Sequence, residues 1–272
     1  MPLTVVPTPV GNLEDMTIRS IKILRNADLI ACEDTRKTAT LLKRYAISTK
    51  MVSYHSFNEK ARTPMILSRL KVGENIALVS DAGTPGISDP GSIIINEAVS
   101  LGIRVEVLPG PTALVPAVVV SGLPVEGFLF AGFLNDKHGQ RIKQIKKYVL
   151  PGMSTVFYVS PHKLIRHMED ILEEAGDLDS SLTREISKIH EETIRGKLSE
   201  ILDYARKNEV RGELTLVVYR EEIQQDDKEW QDDALLLIRE GKTDREVLNS
   251  ILKKYRVRKN AVKEFILNSK QL

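Results

Sequence analysis

The stretch VSDAGTPGISDPG, residues 79–91, limits what this chain can fold into more than any other part of it. Its thirteen residues include three Gly, two Pro and two Asp. Gly is entropically costly inside a helix or strand, and Pro lacks the N–H that either needs. The stretch therefore reads as a long shaped loop. It follows the apolar run of residues 76–79 and precedes a helix-like run at 93–101. In open α/β sheets, ligands bind at loops of this kind, at the carboxyl ends of strands. Gly83 and Gly86 let backbone approach a ligand closely, and Asp81 and Asp89 supply carboxylates. Taken alone, such a loop is equally a turn that starts the next helix. A second one, LPGPTA at residues 108–113, follows one strand later, and two at neighbouring strand ends favour a site.

The flanking chain alternates as this placement requires. Apolar runs at residues 3–6, 29–32, 51–54, 76–79 and 105–108 read as strands. Helical patterns lie between them: one capped by Asp15 or Thr17, one at 38–45, one at 64–70 opening on Pro64, and one at 93–101. Such alternation predicts an N-terminal α/β domain over residues 1–112 with a parallel, doubly wound sheet. Residues 113–222 predict a second α/β domain. It holds a well-buried helix at 113–120, a basic helix at 141–148, and strands at 128–131, 154–159, 182–186 and 213–219.

Charge separates sharply beyond that point. The net charge of +2 hides an acidic segment, residues 221–233, with seven Asp or Glu against one Lys. It also hides a basic one, residues 239–272, with ten Lys or Arg against four acids. The expectation is an acidic linker at 223–233 and a basic helical tail at 234–272, with Thr243-Asp244-Arg245-Glu246 as a capping box. Lys253, Lys254, Arg256, Arg258 and Lys259 fall within seven residues. Such clustering repels itself unless a polyanion or an acid-rich surface relieves it, so these five are candidate contacts to the phosphates of a polyanion.

Several chemistries lack their signatures. No G-x-G-x-x-G follows the first strand, no Walker A motif is complete, and there is no G-x-S-x-G elbow. His162 and His167 are five apart and do not share a helix face, and one cysteine, Cys32, builds neither a disulfide nor a thiolate site. No metal is expected. No run approaches the roughly 18 apolar residues of a membrane span, and the N-terminus lacks a signal peptide's basic and apolar regions. The expected location is cytoplasmic, with no membrane partner.

Seven polar loops at predicted strand ends remain, and their motifs are specific. TPVGNLED, ACEDTRKTATLL, LVSDAGTPGISDPG, LPGPTAL, AGFLNDK, VSPHK and TREISKIHEE occur in that order. Over about residues 3–219 the chain resembles the bacterial small-subunit ribosomal RNA ribose 2′-O-methyltransferases of the tetrapyrrole methylase superfamily. The resemblance implies two α/β domains of the tetrapyrrole methylase (class III methyltransferase) type, with a small C-terminal helical extension. It implies S-adenosylmethionine in the cleft between domains and a homodimer. The implied substrate is a decoding-region cytidine, methylated on its ribose, in small-subunit ribosomal RNA or the assembled small subunit.

Carried onto this sequence, the implied cofactor contacts are Pro9, Val10, Asp81, Ala82, Gly83, Thr84, Thr112 and Ala113 in the first domain. The second adds Phe133, Leu134, Glu213, Leu214 and Thr215. In that setting Gly83 permits close backbone approach, backbone N–H groups can take the methionine carboxylate, and Asp81 suits a cationic or hydroxyl-bearing group. On the substrate side the matching loops offer Asn12, Arg36, His162, Lys163 and Arg184, with the tail cluster beyond them. VSPHK departs from the commoner E-S-P-H-R and TREISK from R-E-L-T-K. A ribose hydroxyl is a weak nucleophile and needs a base or a nearby cation. Glu33, Asp34, Lys137 and Glu185 are the catalytic candidates, and ion-pair roles beside Arg36 and Arg184 fit the acids among them equally. Two other readings stay open: a tetrapyrrole or diphthamide-type methylase of the same fold, and a non-catalytic RNA-binding factor.

Overall fold

The computed structural model describes residues 2–222, 227–255, 257 and 259–269. These fall into two compact units, residues 1–220 and 221–272. The larger unit contains two five-stranded sheets.

The first sheet contains β1 (Leu3–Val5), β2 (Leu29–Cys32), β3 (Met51–Ser53), β4 (Ile76–Val79) and β5 (Val105–Val107). Its order is β3-β2-β4-β1-β5 and every pair is parallel. Both faces are covered, which is why strands such as Ile76–Val79 are apolar throughout. Leu3, Val5, Leu29, Ala31, Ile76 and Leu78 face α3 (Glu59–Lys71) and α4 (Ser92–Ser100). Val6, Ile30, Cys32, Ala77 and Val79 face α1 (Ile18–Asn26) and α2 (Thr35–Arg44). The connection out of β1 therefore runs over one face, and that out of its neighbour β4 over the other. A crevice opens between such strands at their carboxyl ends.

Leu114–Ser121 forms α5, and the second sheet follows. Its strands are β6 (Phe128–Phe133), β7 (Met153–Val159), β8 (Asp179–Arg184), β9 (Glu192–Lys197) and β10 (Leu214–Arg220). The order is β6-β7-β10-β8-β9, parallel between β6 and β7 and antiparallel elsewhere. Helices α6 (His138–Tyr148), α7 (Leu164–Ala175) and α8 (Leu198–Lys207) cover one face. Ala117 and Val118 of α5 pack on the other, beside Val10 from the first half. The ends of β6, β7 and β8 and the start of β10 share one edge, facing the loops of the first sheet.

Several expectations need correction. The third helix begins at Glu59, with Pro64 inside it. The proline removes one bond, to the Lys60 carbonyl, near an exposed helix end, so the helix tolerates it. The fifth helix is one-sided: Val115 and Val119 are 50% and 72% exposed. Strand β9 (ETIRGK) escapes the sequence pattern, because this edge strand carries charges and a glycine where an apolar alternation is the usual signal. The supposed linker is helical from Asp227 on, as the start of α9 (Asp227–Arg239). In α6, Arg141 is buried: it pairs with Asp170 and donates to the carbonyls of Asn135 and Asp136 at 2.9 and 3.0 Å.

The smaller unit adds α10 (Asp244–Lys254) and α11 (Lys259–Ser269) to α9. Trp230, Ala234, Val247, Ile251, Val262 and Ile266 form its core, with Trp230 edge-on to Phe265 at 5.1 Å. Thr243 and Glu246 make the expected capping box. Of the expected RNA contacts in this unit, Lys253 is exposed and Lys254 pairs with Asp233 at 2.5 Å. Lys259 opens α11, while Arg256 and Arg258 lie outside the described residues.

Close approach between the two halves of the larger unit depends on Gly11. A Cβ there would meet the Ile186 carbonyl oxygen at 2.5 Å and the Ser187 carbonyl carbon at 2.8 Å. Beside it, the Ser187 hydroxyl donates to Asp15 at 2.6 Å. Gly11→Ala forces these loops apart, at about 1–3 kcal/mol for overpacking. At about 2–4 °C per kcal/mol, thermal unfolding is expected to show a drop of several degrees. Gly139→Ala is the control: it sits in α6 with open space around the added methyl group, and its melting temperature is expected to hold or rise.

Candidate active site

The crevice predicted by the diverging connections is a cavity of about 520 Å³. This is the size of a small-molecule or cofactor site. From the first half it takes Val10 after β1, Ala82–Thr84 and Ile87–Asp89 after β4, and Thr112–Leu114 after β5. The second half supplies Phe130 and Phe133 of β6, Tyr158–Pro161 at the end of β7 and just beyond, Ile186 after β8, and Gly212–Thr215 entering β10. Phe130 and Phe133 both lean on Tyr158, with ring centroids 4.9 and 5.7 Å apart.

The floor is set by backbone. Thr8 and Gly83 form an antiparallel bridge, N–H to carbonyl both ways, at 2.9 and 2.8 Å. The Thr8 hydroxyl adds a 3.0 Å bond to the Ser80 carbonyl. Gly83 takes this place at φ +76°, a region open to glycine at no steric cost. Its own N–H is thereby taken and is not available to a ligand. The N–H groups of its neighbours Ala82 and Thr84 meet no acceptor among the described residues, and both residues line the cavity.

Ten of the thirteen residues expected to hold the cofactor line this cavity. Pro9, Asp81 and Leu134 do not. Asp81 accepts from the Asp34 N–H at 3.0 Å and pairs with Lys37 at 2.8 Å, tying the β4 loop to the β2 loop. Leu134 is 5% exposed and belongs to the core beneath the second sheet.

The catalytic candidates are mostly committed elsewhere. Asp34 caps α2 and is held by Arg36 through bonds of 2.7 and 3.1 Å, which keeps its carboxyl far below the usual range. Glu185, at φ +54°, accepts from the Glu213 N–H and from Lys188, both at 2.9 Å, and these bonds lower it too. Lys137 is the exposed N-cap of α6. Glu33 stands off the cavity wall, its carboxyl raised first by burial and then by Asp81.

On the substrate side, Asn12 caps a short turn by accepting from the Glu14 N–H at 3.0 Å. Arg36 is the partner of Asp34, and Lys163 pairs with Asp136 at 2.5 Å. Arg184 pairs with Glu192 at 2.7 Å, so Arg184 and Glu185 do not pair with each other. His162 is exposed, whereas His167 is buried; burial, then the charges of Arg141, Arg166 and Lys163, push it down to about 4. Among the described residues no three His, Cys, Asp or Glu gather closely enough to hold a metal.

The sequence marks Asp89 as a loop carboxylate but not as a site residue. It lines the cavity, and no hydrogen-bond donor reaches it among the described residues. Burial, then the charges of Glu33, Asp81 and Glu213, push its carboxyl up to about 7. The signal is present in the repeated S-D of SDAGTPGISDPG, but sequence alone does not say which aspartate is partnered.

This arrangement, two α/β halves with their loops closed over one apolar cavity, defines a methylase fold. The pattern of the Tetrapyrrole (Corrin/Porphyrin) Methylases matches residues 2–202, and the chain belongs to that family. Uroporphyrin-III C-methyl transferase from Thermus thermophilus, solved with S-adenosyl homocysteine, shares the fold at a TM-score of 0.58 and 18% identity. The match covers 80% of this chain and 97% of that one. Nearer in sequence are proteins named ribosomal RNA small subunit methyltransferase I. The one from Thermotoga maritima is 45% identical over 218 residues, 79% of this chain and 97% of the relative. That from Bacillus subtilis is 42% identical over 232 residues, 84% of this chain and 80% of the relative. Among the described residues no helix is long and apolar enough to cross a membrane.

The raised Asp89 carboxyl has a consequence for stability. The folded chain holds a proton that the unfolded chain releases near pH 4, so stability falls as pH rises from about 4 to about 7 and then levels. Asp89→Asn removes that loss. Its melting temperature is expected to exceed the wild type's at pH 8, with the gain shrinking at pH 5.

Proposed function

We propose that this protein transfers a methyl group from S-adenosylmethionine to the ribose 2′-hydroxyl of a cytidine in the decoding region of small-subunit ribosomal RNA. The single observation behind the reading is the cavity wall, which gathers ten of the thirteen expected cofactor contacts from both halves. The relatives' shared name supports ribosomal RNA as the substrate class. The substrate is bare RNA or the assembled small subunit. Because ribosomal RNA is made and assembled there, the reading carries a cytoplasmic location with it.

The wall suits this cofactor. The unpaired N–H groups of Ala82 and Thr84 match a carboxylate, and the apolar face of Phe130, Phe133, Val159 and Leu214 matches a purine and a thioether. When bound, S-adenosylmethionine supplies a methyl group on a sulfonium, open to in-line attack. The chain's residues orient the reactants and exclude water, and such positioning accounts for much of the acceleration available.

Val115 and Val119, exposed on α5, offer an apolar surface to the homodimer that belongs to this reading. RNA contact by the smaller unit is a separable part of it. The Thermotoga maritima relative is matched over 97% of its length by 218 residues, so a chain shorter by about this unit bears the same name.

Calorimetry and primer extension test the proposal. S-adenosylmethionine and S-adenosylhomocysteine are expected to bind one per cavity, and treated ribosomal RNA to give one low-nucleotide stop at a decoding-region cytidine. Absence of both defeats it. Ala82→Phe, which fills the wall, is expected to weaken cofactor binding at least tenfold, or about 1.4 kcal/mol, without lowering the melting temperature. Removing residues 221–272 is expected to leave cofactor affinity unchanged, because the whole cavity lies in residues 1–220. The same truncation weakens RNA binding and flattens its salt dependence by about 0.7 to 0.9 for each phosphate that the smaller unit neutralises. An unchanged salt slope assigns the smaller unit a structural role instead.

A further inference from the structure

A 2′-hydroxyl attacking a methyl group must lose its proton, and a carboxylate takes it more readily when no protein cation or N–H group stabilises its charged form and lowers its basicity. Around the cavity that condition is selective. Asp34 is held by Arg36, Asp81 by Lys37 and the Asp34 N–H, and Glu185 by Lys188 and the Glu213 N–H. Glu213 lines the cavity but approaches Lys188 at 3.4 Å with its side chain 69% exposed. Asp89 alone among these acids combines a place on the wall with a carboxylate that no donor reaches among the described residues.

The loop holds this residue firmly while leaving its carboxylate free. Ser88, just before it, adopts φ +62°, an uncommon conformation for a residue with a side chain. Just after it, the Pro90 carbonyl accepts from the Gly86 N–H at 3.1 Å, and the Gly91 N–H donates to Glu59 of α3 at 3.2 Å. Gly91 sits at φ +134°, where a Cβ would press on Leu78 at 3.0 Å. Strain of this kind persists where the surroundings over-determine it and clusters at functional sites.

We propose that Asp89 is the general base of the reaction, taking the proton of the acceptor 2′-hydroxyl. The assignment rests on the methyl-transfer reading above. As Asp89 accepts the proton, a lone pair of the hydroxyl oxygen forms the O–C bond. The C–S bond breaks and its electron pair stays on sulfur, which becomes neutral. Asp89 is left protonated and returns its proton to water. The groups facing it are Glu33 and Asp81 from the loops after β2 and β4, Glu213 ahead of β10, and Tyr158 of β7. No cation is among them, and together with burial the three acids hold its carboxyl at about 7, within the range where a base is both available and effective.

The experiment compares wild type, Asp89→Asn and Asp89→Glu by four readouts: folding by thermal melt, S-adenosylhomocysteine affinity by calorimetry, carboxyl titration by carbon-13 NMR, and single-turnover RNA methylation against pH. In the wild type, one aspartate carboxyl titrates near pH 7, and methylation rises tenfold per pH unit below that point and flattens above it. Asp89→Asn folds, binds S-adenosylhomocysteine within threefold of wild type, lacks the titrating carboxyl, and methylates at least a hundredfold more slowly with no pH dependence. Asp89→Glu recovers part of the rate and of the profile. An Asp89→Asn protein with the wild-type rate and profile overturns the assignment. So does one whose cofactor affinity falls as far as its rate, which makes Asp89 a cofactor ligand. A wild type that methylates no RNA overturns the methyl-transfer reading itself, an outcome distinct from a methylating wild type with an indifferent variant.

Discussion

Two backbone hydrogen bonds between Thr8 and Gly83 hold the cavity in shape. They extend the pairing of β1 and β4 past the end of the parallel sheet, across a segment where Pro7 and Pro9 can donate nothing. The sheet delivers these two strands side by side, and their helices leave over opposite faces. Without a cross-link, two long polar loops would diverge there. With it, Val10 and Ala82–Thr84 become one surface, and Gly11 carries that surface into contact with residues 186–188 of the second half.

The rim of this surface is acidic, and the carboxylates divide by their partners. Asp34, Asp81 and Glu185 are held by cations and N–H groups: Asp34 caps its own helix with Arg36, while Asp81 and Glu185 each fasten one loop to another. Asp89 fastens nothing and bears an unfavourable charge at neutral pH. A chain selected for stability alone would replace it, since burying a charge without a partner costs free energy. Such residues are tolerated where activity requires them.

Much of this was legible in the sequence. The five parallel strands were, because a sheet covered on both faces needs unbroken apolar runs between glycine-rich or proline-rich turns. The parts that escaped depend on partners the sequence does not display. Strand β9 is an edge held by its ladder to β8 rather than by its own apolar pattern. The acidic composition of residues 227–233 reads as linker, and the helix there shows itself only through the packing of Trp230 and Ala234 against Val262 and Phe265. In β6, Phe130 and Phe133 are an odd number apart and should face opposite ways. The register shift between Phe130 and Gly132 restores them to the same face, so both rings meet Tyr158 while Leu134 turns into the core. Residues of six of the seven motifs line the cavity, and those of ACEDTRKTATLL do not. Which side chain of each loop points inward depended on a bulge, a bridge and ion pairs.

The position of Trp230 has a spectroscopic consequence. It is the chain's single tryptophan, it is 2% exposed, and it lies in the three-helix unit after Arg220. The indole fluorescence of this protein therefore reports the integrity of α9, α10 and α11. The two sheets and the cavity emit through tyrosine alone. In a denaturant titration, the tryptophan signal and the far-ultraviolet dichroism follow different parts of the molecule. Any separation of their midpoints measures how far the two units unfold independently.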